Sequence, residues 1–350
     1  MIKKLLKKII LFLPIKNSFL RDDQASPLIK RSKKFQKINY SKKYQFGNLN
    51  KDKTFYVINR SPGAGIFSNL TFVLNFILVS KKKKFIPIID MDNFPTIYNE
   101  KEKILNLSNA WNYYFESLNK YSLNEVYKSK NVYFSNSLFE KKMSLDMTNK
   151  KLRNQFKKIR IKNKLIQKAN NFFNFAFKKN DKVLGVHFRG STYKVARGHA
   201  FPPTPKLMKE NIHFLMNKYK YNKLFLVTEE QEYLDILKNE YKKKCIFFNS
   251  FRMNKLDSFK IYPRKNHRFK LGEETVIEAL ILSKCSGLTY IKSNVISAAI
   301  CLSKRKQNYH EIFLGYNSRN KYIARWLWYI KKLLPTKLGG LKLVDRKKYT

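Results

Sequence analysis

Short unbroken apolar runs alternate along this chain with longer stretches whose apolar residues fall three and four apart. The first pattern predicts strands buried on both faces, and the second predicts amphipathic helices. Residues 54–58 (TFYVI) form the first such run, and the loop over 59–67 carries Pro62, Gly63 and Gly65. A helix is expected over 68–80, where Leu70, Val73, Leu74, Ile77 and Leu78 keep helical spacing, then a strand over 85–89. The stretch 101–149 is less regular, with an aromatic cluster at Trp111, Tyr113, Tyr114 and Phe115 and one strand over 132–134. Residues 150–178 predict one or two basic helices.

A second series begins at residue 183. Strands are expected over 183–188, 224–227, 245–248 and 287–291. One helix is expected to run from Thr204-Pro205, with the Thr as cap and the Pro at the first helical position, to about Tyr219. Others are expected over 231–241, over 273–283, and from the Ser293-Asn294 cap to Leu302. Strands alternating with helices in two series predict an α/β protein of two doubly wound parallel-sheet domains. The expected layout is a basic amphipathic segment over 1–20, a linker over 21–50, domains over 51–178 and 179–318, and a basic aromatic helix and tail over 319–350.

Charge adds to this picture. The chain has 73 Lys and Arg against 24 Asp and Glu, a formal net charge of +49. Nucleic acid, an anionic membrane surface and an anionic substrate would each suit such a balance. Lysines are spread along the chain, however, and no zinc-finger, RRM or basic-zipper pattern occurs, which disfavours nucleic acid. The crowding of Lys, Asn, Ile, Phe and Tyr throughout fits compositional drift equally well. A hydrophobic content of 43% excludes disorder of the whole chain.

Cys245, Cys285 and Cys301 sit in apolar contexts without metal spacing, so they read as buried thiols of a reducing compartment. No segment is long and apolar enough to span a bilayer. The opening MIKKLLKKIILFLPIK lacks a signal cleavage site and reads as a basic amphipathic helix on a membrane surface. Residues 322–334 combine Trp326, Trp328 and Tyr329 with Arg325, Lys331 and Lys332. They are expected to pack onto the domain and to meet a membrane with their outer side. The location expected from these features is cytoplasmic, at the periphery of the inner face of the membrane.

Candidate chemistry gathers at strand ends. VLGVHFRGST (183–192) is a buried run that delivers His187 and Arg189 to a carboxyl edge, where ligands of open α/β sheets bind. A guanidinium there suits a phosphate, and Gly190 permits close backbone approach. Ser293-Asn294 opens a helix just past a strand, which makes an anion site or an ordinary cap. Thr228-Glu229-Glu230, past another strand, offers a carboxylate to a ribose or base, or first-turn acids to the helix dipole. Gly63-Ala64-Gly65 is a weak phosphate signal. Asp90-Met91-Asp92 is a short Asp-x-Asp, unconvincing as a metal site. The histidines at 187, 199, 213, 267 and 310 have no zinc spacing.

In order, GAGIFSN (63–69), GVHFRG (185–190), LFLVTEE (224–230) and ETVIEALILSKCSGLTYIKSNVISAA (274–299) resemble the fucosyltransferase superfamily with the His-x-Arg motif. This group includes α1,6-, nodulation and protein O-fucosyltransferases, and the resemblance spans about residues 54–302. It implies a GT-B fold of two Rossmann-like domains facing a cleft. It also implies a GDP-fucose donor, a glycan or glycolipid acceptor, inversion at the anomeric carbon, and no required metal or cofactor. By the same resemblance Arg189 would bind the donor β-phosphate, His187 the nucleotide or a neighbouring loop, and Ser293 and Asn294 the diphosphate. Glu278 would lie near the guanine, and Gly63, Gly65 and Asn69 would face donor sugar and acceptor. The chain departs from the family pattern at Gly190, where a second Arg is common. It departs again at Ser191 and Thr192, where an acid is usual, and at Thr228-Glu229, where Thr-Asp is common. Another nucleotide sugar as donor, or a basic nucleic-acid-binding protein without transferase activity, stays open beside fucosyl transfer.

Overall fold

A computed structural model describes residues 26–136, 143–253 and 258–343, so the basic segment over 1–20 lies outside the described residues. The first layer is a three-stranded sheet. Its elements are β1 (Phe55–Ile58), α1 (Ile66–Lys82), β2 (Ile86–Ile89), the short α2 (Trp111–Tyr114) and α3 (Leu123–Val126), and β3 (Val132–Phe134). The strands are parallel in the order β2-β1-β3. All four residues of β1 are buried, which is why its sequence is an unbroken apolar run. Then α4 (Lys150–Phe156) and α5 (Asn163–Ala176) lead to the second sheet.

The expected linker is corrected over its described part, 26–50. Phe35 is 3% exposed and packs against Phe94 and Tyr127. Tyr44 exchanges backbone hydrogen bonds of 2.8 and 3.0 Å with Val132, which adds cover to β3. Phe35, Tyr44 and Phe46 supply apolar anchors that the surrounding lysines obscure in the sequence.

The second sheet contains β4 (Val183–His187), α6 (Ser191–Val195), α7 (Pro205–Tyr219), β5 (Lys223–Val227), α8 (Gln231–Tyr241) and β6 (Cys245–Phe247). It continues with α9 (His267–Leu282), β7 (Gly287–Tyr290), α10 (Asn294–Leu302), β8 (Asn308–Glu311) and α11 (Lys321–Leu333). All five strands are parallel, ordered β6-β5-β4-β7-β8. Counted within this sheet the order is 3-2-1-4-5, which reverses between β4 and β7. A parallel α/β sheet binds ligands outside the carboxyl ends of its strands at such a reversal. In register, His187 lies opposite Val227 of β5 and Tyr290 of β7, so three strand ends converge on one edge.

Helix α9 begins at His267, earlier than the expected 273, and β8 is an unpredicted edge strand. Its sequence NYHE lacks the apolar run of a central strand because only one of its edges is paired. Helix α11 packs back as expected. Trp328 is 2% exposed and its indole donates to Pro202 O at 2.8 Å, while Tyr322, Tyr329 and Leu333 are exposed. No described helix is long and apolar enough to cross a membrane.

One hydrophobic cluster runs from β1 and α1 through α2, α4 and α5 into α9, β7 and α10. A second fills the other face of the five-stranded sheet, and a third the other face of the three-stranded one. All three cysteines are free and buried.

Candidate functional site

A cleft of about 480 Å³ opens between the loop after β1 and the carboxyl ends of β4, β5 and β7. Its wall on the second sheet carries His187, Arg189, Thr228, Glu229, Ser293 and Asn294. Six residues from three strand ends therefore meet at the reversal point, as the register requires.

Arg189 is held on one side only. Its guanidinium meets Glu229 at 2.7 Å, donates to Thr192 Oγ1 at 3.2 Å, and lies 4.5 Å from the centre of the Tyr193 ring. Burial is the largest single influence and opposes its charge, but Glu229, Tyr193, Tyr98 and Glu230 together outweigh it and hold the pKa above the ordinary arginine value. Its Nε is buried without a hydrogen-bond partner, and so is Nδ1 of His187. Orphaned buried polar atoms are costly, so two in one cleft mark a place for a polar ligand. Burial, reinforced by the Arg189 charge, keeps His187 neutral well below the usual imidazole range.

Glu230 turns the other way. It is 1% exposed and receives Lys194 on both carboxylate oxygens, at 3.0 and 3.1 Å. Lys194 also lies over the rings of Tyr233 and Trp328, at 4.8 and 5.1 Å. This pair corrects the expectation for Gly190, which does not line the cleft. A Cβ at Gly190 would sit 2.3 Å from Glu230 Cδ, so the buried wall behind it demands glycine. The second Arg common at this position in the resembled family would not fit here.

Ser293 accepts from Ile296 N at 3.3 Å and is the N-cap of α10. Asn294, the first residue of α10, lines the cleft. The N–H groups of a helix start and its dipole favour an anion at this point.

Deeper in the cleft lies a second carboxylate centre. Glu278 accepts from Ser250 Oγ at 2.5 Å and faces Arg252 at 3.8 Å. Burial pushes its carboxyl up to about 7, against the opposing pull of Arg252 and Ser250. Glu274, beside it, is clamped by Arg264 at 2.6 and 2.8 Å.

On the first-sheet side, Gly65 lines the cleft, and nothing lies within 4 Å of a Cβ built there. Gly63 and Asn69 do not line it, contrary to expectation. Asn69 Oδ1 accepts from Ala64 N at 2.8 Å and braces the loop from behind. Gly63 has φ +75°, and its Cβ would press on the Asn69 amide at 2.8 Å. Three carboxylates of the first half, Glu116, Asp90 and Asp92, also do not line this cleft. Glu116 pairs with Lys162 at 2.8 Å, and Asp90 is buried under bonds from Tyr127 and Asn93. Asp92 accepts from Ser108 at 2.7 Å. No group of three His, Cys, Asp or Glu among the described residues could hold a metal ion.

Tyr98, Tyr193 and Ser250 line the cleft without having been named in the sequence, and His199 and Glu274 line it without having been given a role there. Tyr98 and Ser250 come from loops far from any motif. Tyr193 and Glu274 lie three or four residues from predicted site residues, and helical spacing could have indicated them.

No family model matches the chain, and no curated protein matches it. Among solved structures it is similar to fucosyltransferase NodZ from Bradyrhizobium, at 14% identity and TM-score 0.49, over 75% of this chain and 96% of that one. A NodZ alpha-1,6-fucosyltransferase co-crystallized with GDP gives the same values. The apo form of POFUT1 is similar at 11% identity and TM-score 0.42, over 75% of this chain and 98% of that one.

Proposed function

We propose that this chain is a glycosyltransferase that moves a sugar from a GDP-sugar donor to a hydroxyl of a glycan or glycolipid acceptor. Fucose is the sugar that the sequence resemblance implies, with inversion and without a metal. One observation carries the reading: Arg189, with its unpartnered Nε, stands beside the start of α10 at the reversal of a 3-2-1-4-5 parallel sheet. That arrangement suits a diphosphate. In this reading residues 51–178 serve the acceptor and residues 179–318 hold the donor.

The chemistry follows from charge. As the bond from the anomeric carbon to the diphosphate breaks, negative charge develops on the leaving oxygen. A fixed guanidinium and helix-start N–H groups stabilise that charge without reorganising. Glu229 holds Arg189 in position until the diphosphate takes over the guanidinium. The acceptor oxygen forms its bond on the opposite face, which inverts the carbon, and as that bond completes its O–H bond breaks and the proton passes to water. A loose transition state with a good leaving group asks little of a base until late. Glu278 is suited to accept from the N–H groups of a guanine edge, and a cleft of about 480 Å³ falls in the size range of nucleotide sites.

The exposed Tyr322, Tyr329 and Leu333 of α11, near Lys331 and Lys332, support a peripheral place on an anionic membrane surface at the cytoplasmic side. The test of the main reading is a thermal-shift panel of GDP, UDP, CDP and a short oligonucleotide on the full chain. Selective stabilisation by GDP is expected. Stabilisation by the oligonucleotide alone would replace the reading with nucleic-acid binding.

A further inference from the structure

A second cavity, of about 420 Å³, flanks the outer edge of β2. Its lining carries one acid, Asp92, and one base, Lys120, so it is neutral overall. That is unusual in a chain of net charge +49, and it argues against an anionic occupant. The floor is fixed. Asn109 Nδ2 donates to Ile89 O and Asn119 Nδ2 to Pro87 O, each at 2.8 Å, and the Trp111 indole donates to Glu116 O at 3.1 Å. These bonds take up two outward carbonyls of β2, and Pro87 has no N–H to offer. An added peptide strand would find this edge closed. Asn112 and Ser117, also in the lining, make no side-chain hydrogen bond to another described residue, and the Tyr121 ring is half-buried beside them.

A rigid floor, free amide and hydroxyl groups, an aromatic face and no net charge suit a neutral polyhydroxylated ligand. We propose that this groove binds a neutral oligosaccharide. Resting on the transfer reading above, its occupant is the part of the acceptor remote from the reacting hydroxyl. One wall serves both cavities, because Ile97 and Tyr98 line the main cleft while Asp92, Ser108 and Trp111 line the groove. Asn99 ties that wall together, donating to Met91 O at 2.6 Å and Ser108 O at 3.1 Å.

The test uses the full chain on an array of neutral oligosaccharides, from disaccharides to hexasaccharides, with sulfated and phosphorylated sugars and short peptides as controls. The best neutral ligand is then titrated calorimetrically. Ser117→Trp, at an exposed rim position, is expected to fill the groove and abolish binding. Asn112→Ala is expected to weaken binding about tenfold, the loss of one hydrogen bond. Both variants should keep the wild-type thermal response to GDP. Failure of every neutral sugar to bind, undiminished binding by Ser117→Trp, or retention of only anionic sugars or peptides would overturn the proposal. If sugar binding behaves as expected but GDP gives no shift, the transfer reading falls and the saccharide site stands.

Discussion

Two loops leave parallel strands at their carboxyl ends and border the same cleft, yet their polar groups are used differently. In the loop after β1, Asn59 N donates to Ser135 Oγ at 3.0 Å and Arg60 Nη1 to Ser68 O at 2.6 Å. Ser61 Oγ donates to Pro95 O at 2.6 Å, and Asn69 secures Ala64. In the loop after β4, Arg189 Nε and the nearby His187 Nδ1 have no partner, and the guanidinium rests on the Glu229 and Thr192 side chains. One loop is braced and offers the cleft its backbone at Gly65. Each region holds two buried side-chain atoms without a partner, Asn59 Oδ1 and Asn69 Nδ2 in the first and His187 Nδ1 and Arg189 Nε in the second. Only the second pair belongs to residues that line the cleft, and only there is one of them a cation. The same β–loop–α plan thus yields a wall in one half and a grip in the other.

The contrast breaks most sharply at Arg189. Arg189→Ala is expected to cost about 10²–10³ in transfer rate, with circular dichroism and melting close to wild type. Wild-type turnover by this variant would remove the distinction between the loops.

Glu278→Gln probes the cleft floor through pH. Burial raises this carboxyl from 4.5 to about 7. A raised acid pKa contributes its full stability below the unfolded value and loses it as pH climbs through the folded one. Wild type should therefore lose up to about 3 kcal/mol through this group between about pH 5 and pH 8. Urea denaturation at those two pH values should show the Gln variant lacking that decline.

Gly190→Ala drives a methyl group into Glu230 and is expected to destabilise by about 1–3 kcal/mol in chemical denaturation. Gly65→Ala is the smallest effect, within about 0.5 kcal/mol in the same measurement, because open space surrounds that position. A fall in transfer without a fall in stability would then mark Gly65 as a point of ligand approach.

Much of this was legible in the sequence, for local reasons. The buried runs at 55–58, 183–187 and 224–227 located the central strands, and their polar ends located His187, Arg189, Thr228 and Glu229. Ser293 was readable as a cap because capping is a local event. The roles of Gly190 and Asn69 were not readable. Gly190 is constrained by Glu230, forty residues on, and Asn69 points back into its own loop. Phe35 and Tyr44 were lost among lysines, since anchoring by isolated aromatics leaves no periodic trace.

The core that passes unbroken from β1 and α1 into α9, β7 and α10 has a consequence for how the chain comes apart. Separating the sheets would strip α9 of α1, α2 and α5 and expose apolar surface on both sides. The halves are therefore coupled in folding, and scanning calorimetry should record one cooperative melt where independent modules would give two. A cut between the series, near residue 178, should leave neither fragment able to fold.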